Sequence, residues 1–313
     1  MKKPQRKKLK DFLERKHCIF TDDNIEWSVT TQEKDIHQLL QILPENRIIT
    51  EHYVKIANRM ATRGSYMGAE GTYICLDGDV DKGWYLIRKS LLYRFLIPYV
   101  CFPIWERQRD KKRRPSEMAY LIDSMWSSST LAALGLAISP KEGCWILDQM
   151  ELGLTDGRYG WNYDDFFSAY LVRLNRMLKG QPDILIQPPN PRKNWEHPYE
   201  NIFTCWNDGE HLAGAIYDMC EYHMHANNRD WDNHNAEFSD LFAGLNPIEI
   251  HALEYVRNQL GLPTPQVEHE LLQPPFYPIP DSVKNISTEQ IIAEDQLLHD
   301  VVEFINDWVK YPL

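Results

Sequence analysis

The side chains best suited to chemistry are clustered within residues 223–234, where three histidines and two acids occur in twelve positions. Imidazole and carboxylate groups bind first-row transition metals, so this cluster could form a metal site. On a helix, however, side chains two residues apart diverge by about 200°, which separates the first two histidines. A polar helix end followed by a loop explains the same residues, and we expect no bound metal or other cofactor. The cluster consists of His223, His225, Asp230, Asp232 and His234.

Other catalytic patterns are incomplete. Ser124–Ser129 has no lysine in a Ser-x-x-Lys frame, and the chain contains no Gly-x-Ser-x-Gly. The turn Asp77–Asp81 is similar to the start of a calcium loop, but no acid closes the twelve-residue frame. The six cysteines form no Cys-x-x-Cys pair. We therefore expect a protein that is not an enzyme.

The clearest helix signal begins at Asn246, a potential N-cap residue followed by Pro247 and by an acid at Glu249. Gly261 can end the helix in the left-handed conformation. The run Pro274–Pro280 suits neither a helix nor a central strand, so we expect a strap laid across the fold. The apolar stripe of this helix is Ile248, Ala252, Val256 and Leu260.

Apolar periodicity predicts helices in most of the remaining chain and no convincing strand. The fold class is therefore all-α, with about ten helices in a two-layer bundle or array. The basic run at residues 107–114 suggests a linker between an N-terminal layer, 1–115, and a C-terminal domain, 116–313. The predicted helices are Gln32–Leu43, Arg47–Met67, Val80–Ile97, Ser116–Ile138, one that begins at Pro140, Tyr163–Leu178, Tyr199–Met224 and Glu289–Tyr311.

Three glycines lie near the C-terminal end of the second of these helices or just after it, at Gly64, Gly68 and Gly71. They either let two helices approach closely or mark a helix end. They do not form a phosphate-binding loop, because no Gly-Lys-Ser/Thr follows and no strand precedes them.

Several short segments of the chain follow a known family pattern. An Ala-to-Tyr run at 69–73 leads into the turn Asp77–Asp79, and Phe242–Gly244 precedes Ile248–Ile250. Leu260–Leu262 then ends that helix, and Phe276-Tyr277-Pro278-Ile279-Pro280-Asp281 closes the pattern. In layout this resembles the PoNi-like immunity proteins, which neutralise PoNe-type DNase toxins of interbacterial competition. The resemblance implies a cytoplasmic immunity protein whose partner is a toxin domain, with type VI secretion as the associated delivery system.

Charge is unevenly distributed along the chain. Residues 1–194 contain 30 basic and 24 acidic residues, whereas residues 195–313 contain 4 and 21. An acidic block of this size repels nucleic acid and anionic membranes and attracts basic proteins, of which a nuclease is an example. We therefore expect neither nucleic acid nor a membrane as a partner, and predict a partner-binding face with Trp231 as its anchor. The face consists of Asp208, Glu210, Asp218, Glu221, Asp230, Trp231, Asp232, Glu237 and Asp240.

Two alternatives to an immunity protein remain open at the level of sequence. A metal-dependent enzyme would use His223, His225 and His234, and a helical adaptor would have no toxin partner. For each acid of the predicted face, a solvated helix surface is the simpler explanation taken alone.

Overall fold

The computed structural model describes residues 22–41, 49–108, 128–155, 166–185, 199–226 and 241–306. These ranges contain thirteen helices and no strand, which confirms the predicted all-α class. None of these helices combines the length and the apolarity needed to cross a bilayer. In chain order they are α1 (Asp22–Leu40), α2 (Ile49–Leu76), α3 (Val80–Gln108), α4 (Ser128–Ile138), α5 (Pro140–Thr155), α6 (Phe166–Leu178), α7 (Glu200–Thr204), α8 (Gly209–Ala226), α9 (Leu241–Leu245), α10 (Ile248–Gln259), α11 (Asp281–Lys284), α12 (Thr288–Glu294) and α13 (Gln296–Asn306).

The chain divides into two compact units. Unit 1 combines residues 1–125 with residues 280–313, and unit 2 is the continuous segment 126–279. The expected boundary at residue 115 lies outside the described ranges. The division differs from the expected one at the other end of the chain, because the last helices belong with the N-terminal helices and not with the acidic segment before them.

In unit 1, α2 and α3 pack along most of their length. Gly78, with a φ of 104°, forms the turn between them, where the turn was predicted. A Cβ added at Gly68 would lie 2.8 Å from Oγ of Ser90, and one at Gly71 would lie 2.6 Å from the carbonyl oxygen of Gly83. The glycines therefore permit close helix approach, and the alternative that they end a helix is wrong because α2 continues to Leu76.

The C-terminal helices of unit 1 are joined to α3 through Asp295. The Oδ2 atom of Asp295 lies 2.6 Å from Nζ of Lys89 and accepts a hydrogen bond of 2.7 Å from the hydroxyl of Tyr93. Its Oδ1 atom accepts the backbone N–H of Leu298 at 3.0 Å, so the residue also caps α13. The single helix predicted over Glu289–Tyr311 is therefore wrong in its interior, since α12 ends and α13 begins at this residue.

Unit 2 is assembled around α10, which packs against α4 and α6. Ile248, Ala252 and Val256 are buried as predicted, whereas Leu260 is 38% exposed and does not belong to the apolar stripe. The helix ends as predicted, because Gly261 has a φ of 69° and the N–H of the following residue bonds back across the last turn.

The start of α10 differs from the prediction. Pro247 occupies the N-cap position, and no side chain caps the first turn. Asn246 is fully buried, and neither of its side-chain polar atoms has a hydrogen-bond partner among the described residues. Glu249 is also fully buried and turns inward, toward α8.

The run that follows α10 is a strap, as predicted. Phe276 and Ile279 are buried, and Nε2 of His251 donates to the carbonyl oxygen of Phe276 at 3.0 Å. The hydroxyl of Tyr277 donates to Oε1 of Glu254 at 2.5 Å. The strap therefore lies along α10.

Candidate partner-binding face

Helix α8 begins later than the sequence predicted. The expected helix Tyr199–Met224 is interrupted at residues 205–208, and α8 starts at Gly209. Asp208 caps it, with Oδ1 accepting the backbone N–H of His211 at 3.2 Å and Oδ2 lying 2.7 Å from the Nδ1 atom of that residue. The backbone hydrogen bond from His211 is the main reason that the pKa of Asp208 lies below its usual value. Asp208 is therefore a charged and exposed N-cap residue of α8.

One side of α8 faces the interior of unit 2, and the other side is exposed. Successive residues of a helix are separated by about 100°, which places residues 210, 214, 217, 218 and 221 within an arc of about 100°. All five are exposed, and we call this stripe the acidic face. Its members are Glu210, Gly214, Tyr217, Asp218 and Glu221. The opposite side is buried and consists of Leu212, Ala215, Ile216, Met219, Cys220 and His223.

The acidic face has little compensating positive charge. Residues 199–226 and 241–279 contain nine Asp and Glu residues but only one Lys or Arg, Arg257. This arginine is buried, donates to the carbonyl oxygens of Trp206 and Pro263 at 2.6 Å, and does not reach a carboxylate. Glu210 and Asp218 form no ion pair within the part of the chain that the structure describes.

Residues after α10 support the middle of the acidic face. His269 is buried, and its Nδ1 accepts the backbone N–H of Leu271 at 3.1 Å. The ring proton is therefore on Nε2, which donates to Oε1 of Glu221 at 3.2 Å. The ring of His269 also meets the ring of Tyr217 edge-on, with centroids 5.2 Å apart and an interplanar angle of 82°. The exposed side chains of Tyr217 and Glu221 are thus held in place by contact with the buried ring of His269.

Of the candidate metal cluster, the structure describes only the side chain of His223. His223 is fully buried, with Nδ1 2.7 Å from Oε1 of Glu249 and Nε2 3.3 Å from the carbonyl oxygen of Gly244. Both ring nitrogens are engaged, so neither is free to bind a metal ion in this arrangement. The side chain of His225 and all of His234 lie outside the described part of the chain, and no other group of three potential ligands occurs within that part.

The structure describes four of the nine residues that were predicted to form the partner-binding face. Glu210, Asp218 and Glu221 share the acidic face, and Asp208 lies before its first turn on a different side of the helix. The remaining five, Asp230, Trp231, Asp232, Glu237 and Asp240, lie outside the described residues. Sequence reasoning missed Tyr217 and His269. The first could have been found from helical spacing, because it follows Glu210 by seven residues; nothing local indicates the second.

Burial leaves the cysteine side chains of the described helices poorly suited to nucleophilic chemistry. Burial, together with the nearby carboxylate of Asp79, raises the pKa of the Cys75 thiol to about 12. Burial likewise raises the pKa values of Cys144 and Cys220. Thiolates are the reactive form, so these residues behave as packing groups.

No match was found when the chain was compared with protein-family models, with curated proteins and with solved structures.

Proposed function

We propose that this chain is an immunity protein, which binds a cognate antibacterial toxin domain in the cytoplasm and neutralises it stoichiometrically, without catalysis. The toxin is a basic domain, most simply a nuclease. The observation that carries the proposal is the acidic face, whose exposed carboxylates have almost no cationic partners within the described residues of α7–α10 and the strap. The similarity to PoNi-like immunity proteins in sequence layout points in the same direction.

The distribution of charge between the two units supports this proposal. Unit 2 contains 9 basic and 21 acidic residues, whereas unit 1 contains 25 and 24. The net charge of −11 is therefore carried by unit 2, which also carries the acidic face. Such a concentration adds repulsion within one unit, and a requirement for binding a cationic surface would account for it.

The mechanism follows from the chemistry of the target. A nuclease that binds DNA must present a positively charged groove to the phosphates. A rigid acidic helix can occupy or cover that groove and exclude the substrate. Its field also accelerates encounter, since complementary charges raise association rates more than they slow dissociation. Fast capture matters for an immunity protein, because an incoming toxin acts until it is bound.

The proposal requires a toxin to be encoded immediately upstream of this gene, and that protein is the partner for a binding and protection experiment. Glu210→Lys combined with Asp218→Lys reverses two carboxylates that make no ion pair within the described residues. We expect slower association, a weaker dependence of the association rate on salt, and loss of protection in co-expressing cells. The control is Glu70→Lys with Asp77→Lys, which makes the same change in net charge at exposed positions of unit 1.

Surface plasmon resonance at two salt concentrations separates association from dissociation. The proposed binding face is wrong if the α8 variant and the control variant behave alike. If the neighbouring toxin does not bind the wild-type chain, the immunity function itself is wrong.

A further inference from the structure

Tyr217 is a large aromatic side chain that lies partly exposed on the acidic face. It is 44% exposed, and it is the only aromatic residue among the exposed large hydrophobic side chains of the described ranges. The ring contacts His269 in a T-shaped arrangement, and His269 is itself held by Glu221 and by the backbone N–H of Leu271. The side chain is therefore held in place before any partner arrives, which lowers the entropy lost on binding.

Space is open beside this ring. Gly214 lies three residues earlier on the same face, and a Cβ added there would meet no atom within 4 Å. The absent side chain leaves room for an approaching group next to Tyr217. Carboxylates lie on both sides along the helix, at Glu210 and at Glu221.

Elsewhere in the described residues, some aromatic rings stack against arginine side chains of the same chain. The guanidinium of Arg173 lies 3.6 Å from the ring centroid of Phe203, and that of Arg257 lies 4.9 Å from the ring of Trp206. The ring of Tyr217 has no such partner within these same ranges. An aromatic face that is flanked by carboxylates and not covered by an internal cation is electrostatically suited to a cation from outside.

We propose that Tyr217 is the anchor of the partner-binding face and receives an arginine side chain of the partner. This inference rests on the proposed function and assigns its central contact. The guanidinium stacks on the exposed part of the Tyr217 ring, and its N–H groups donate to the carboxylate of Glu221, one turn further along the helix. Arginine fits better than lysine, because its planar, weakly hydrated group both stacks and forms bidentate hydrogen bonds.

Calorimetry with the full chain and two synthetic peptides, hexa-arginine and hexa-lysine, tests the assignment at low ionic strength. The peptides carry equal charge, so general attraction to an acidic surface acts on both. We expect hexa-arginine to bind about threefold more tightly than hexa-lysine, which is the size expected for one exposed cation–π contact.

The decisive variant is Tyr217→Leu, which keeps apolar area but removes the aromatic face. It should weaken the binding of hexa-arginine about threefold and the binding of hexa-lysine less, so that most of the preference for arginine is lost. Tyr217→Phe should retain the preference, and Tyr85→Leu in unit 1 is the matched control that should retain it as well. Circular dichroism melting curves verify that each variant is folded.

The possible results distinguish the anchor from the binding face as a whole. A wild-type chain that binds the two peptides equally, or a Tyr217→Leu variant that keeps the preference, overturns the role of Tyr217. In that case the acidic face still stands if Glu210→Lys with Asp218→Lys weakens binding of both peptides. If neither peptide binds the wild-type chain, the face does not capture cations and both the anchor and the proposed binding surface are wrong.

Discussion

The pair formed by His223 and Glu249 illustrates, at the scale of single residues, how a polar contact can be structural. Both side chains are fully buried, and the Nδ1 and Oε1 atoms are 2.7 Å apart. The second carboxylate oxygen, Oε2 of Glu249, has no hydrogen-bond partner among the described residues. The buried carboxylate of Glu249 therefore depends on this one hydrogen bond among the described residues.

Replacing His223 alone should be strongly destabilising. His223→Leu would leave a buried carboxylate with no hydrogen bond, and breaking a buried pair in this way costs roughly 3 kcal/mol of unfolding free energy. Adding Glu249→Leu removes the uncompensated charge, so the double variant should be more stable than the single one. Urea denaturation followed by circular dichroism gives both values. Equal loss in the single and double variants would show that the lost packing, and not the unpaired carboxylate, is responsible.

Asp295 provides a pH-dependent contribution to stability. Burial alone would raise the pKa of its carboxyl group, but hydrogen bonds from Lys89, Tyr93 and the N–H of Leu298 outweigh burial and hold the pKa below its ordinary value. A lowered folded-state pKa means that the contribution is complete above the unfolded-state pKa of about 3.9 and is lost as the pH falls through the folded-state pKa.

The variant Asp295→Asn removes this charge. The amide oxygen can still accept the N–H of Leu298, but the amide NH2 then replaces the oxygen that Lys89 and Tyr93 contact, and an NH2 group cannot accept their hydrogen bonds. We expect a loss of roughly 2 kcal/mol in unfolding free energy at pH 7, from the lost hydrogen bonds to a charged group. The difference from wild type should narrow as the pH falls below about 4. A difference that is independent of pH between 3 and 7 would contradict the assignment.

Apolar periodicity correctly predicted that apolar residues of α10 are buried. The sequence patterns did not predict that polar residues near the start of this helix are buried as well. Ile248, Ala252 and Val256 were predicted from spacing alone and are buried. Asn246 and Glu249 have the residue types of a helix start, and both were assigned to that role. Both are instead buried, and Glu249 contacts His223 of α8. A pattern of local preferences contains no information about a partner 26 residues away.

At the scale of helices, close packing explains why α2 continues through three glycines. Each of them faces backbone or side-chain atoms of α3 at distances that exclude a Cβ, so the gain from helix contact outweighs their low helix propensity. Sequence alone could not choose between close approach and a helix end, because glycine serves both roles.

Two glycine substitutions should change stability in opposite directions. Gly71→Ala improves helix propensity but places a methyl group 2.6 Å from the carbonyl oxygen of Gly83, and overpacking of this kind typically costs about 1–3 kcal/mol. Gly214→Ala meets no atom within 4 Å and should stabilise α8 by about 1 kcal/mol. Urea midpoints of the two variants test the pair. A stabilising Gly71→Ala would mean that the helices can separate at no cost.

Two helix breaks were missed for a common reason. Apolar periodicity continues across residues 205–208 and across Asp295, so the pattern predicted one long helix in each case. In the structure the acids Asp208 and Asp295 each accept a backbone N–H three residues later. An aspartate followed by a new helical turn is a start signal, and it should take precedence over periodicity where both occur.

At the scale of the whole molecule, the chain order and the structural units do not coincide. Unit 1 needs both ends of the sequence, and unit 2 is formed from the residues between them. Sequence analysis could not predict this division, because the contacts that join Tyr93 to Asp295 span 202 positions. The acidic character predicted for the C-terminal part belongs mainly to unit 2, which carries a charge of −12 while unit 1 carries +1.

Removing residues 280–313 should therefore disrupt the N-terminal helices. The truncated chain loses the ion pair of Lys89, the hydrogen bond of Tyr93 and the burial of Leu298 and Val301. We expect amide hydrogens of α2 and α3 to exchange faster by about tenfold or more, since local protection follows the free energy of opening. Amides of α4–α10 should keep their protection, because unit 2 is intact in the truncated chain. Hydrogen exchange with mass spectrometry measures both sets in one sample, and full-length Asp295→Asn should give an intermediate result in α3. Unchanged protection of α2 and α3 after truncation would show that the first 125 residues fold without the C-terminal helices.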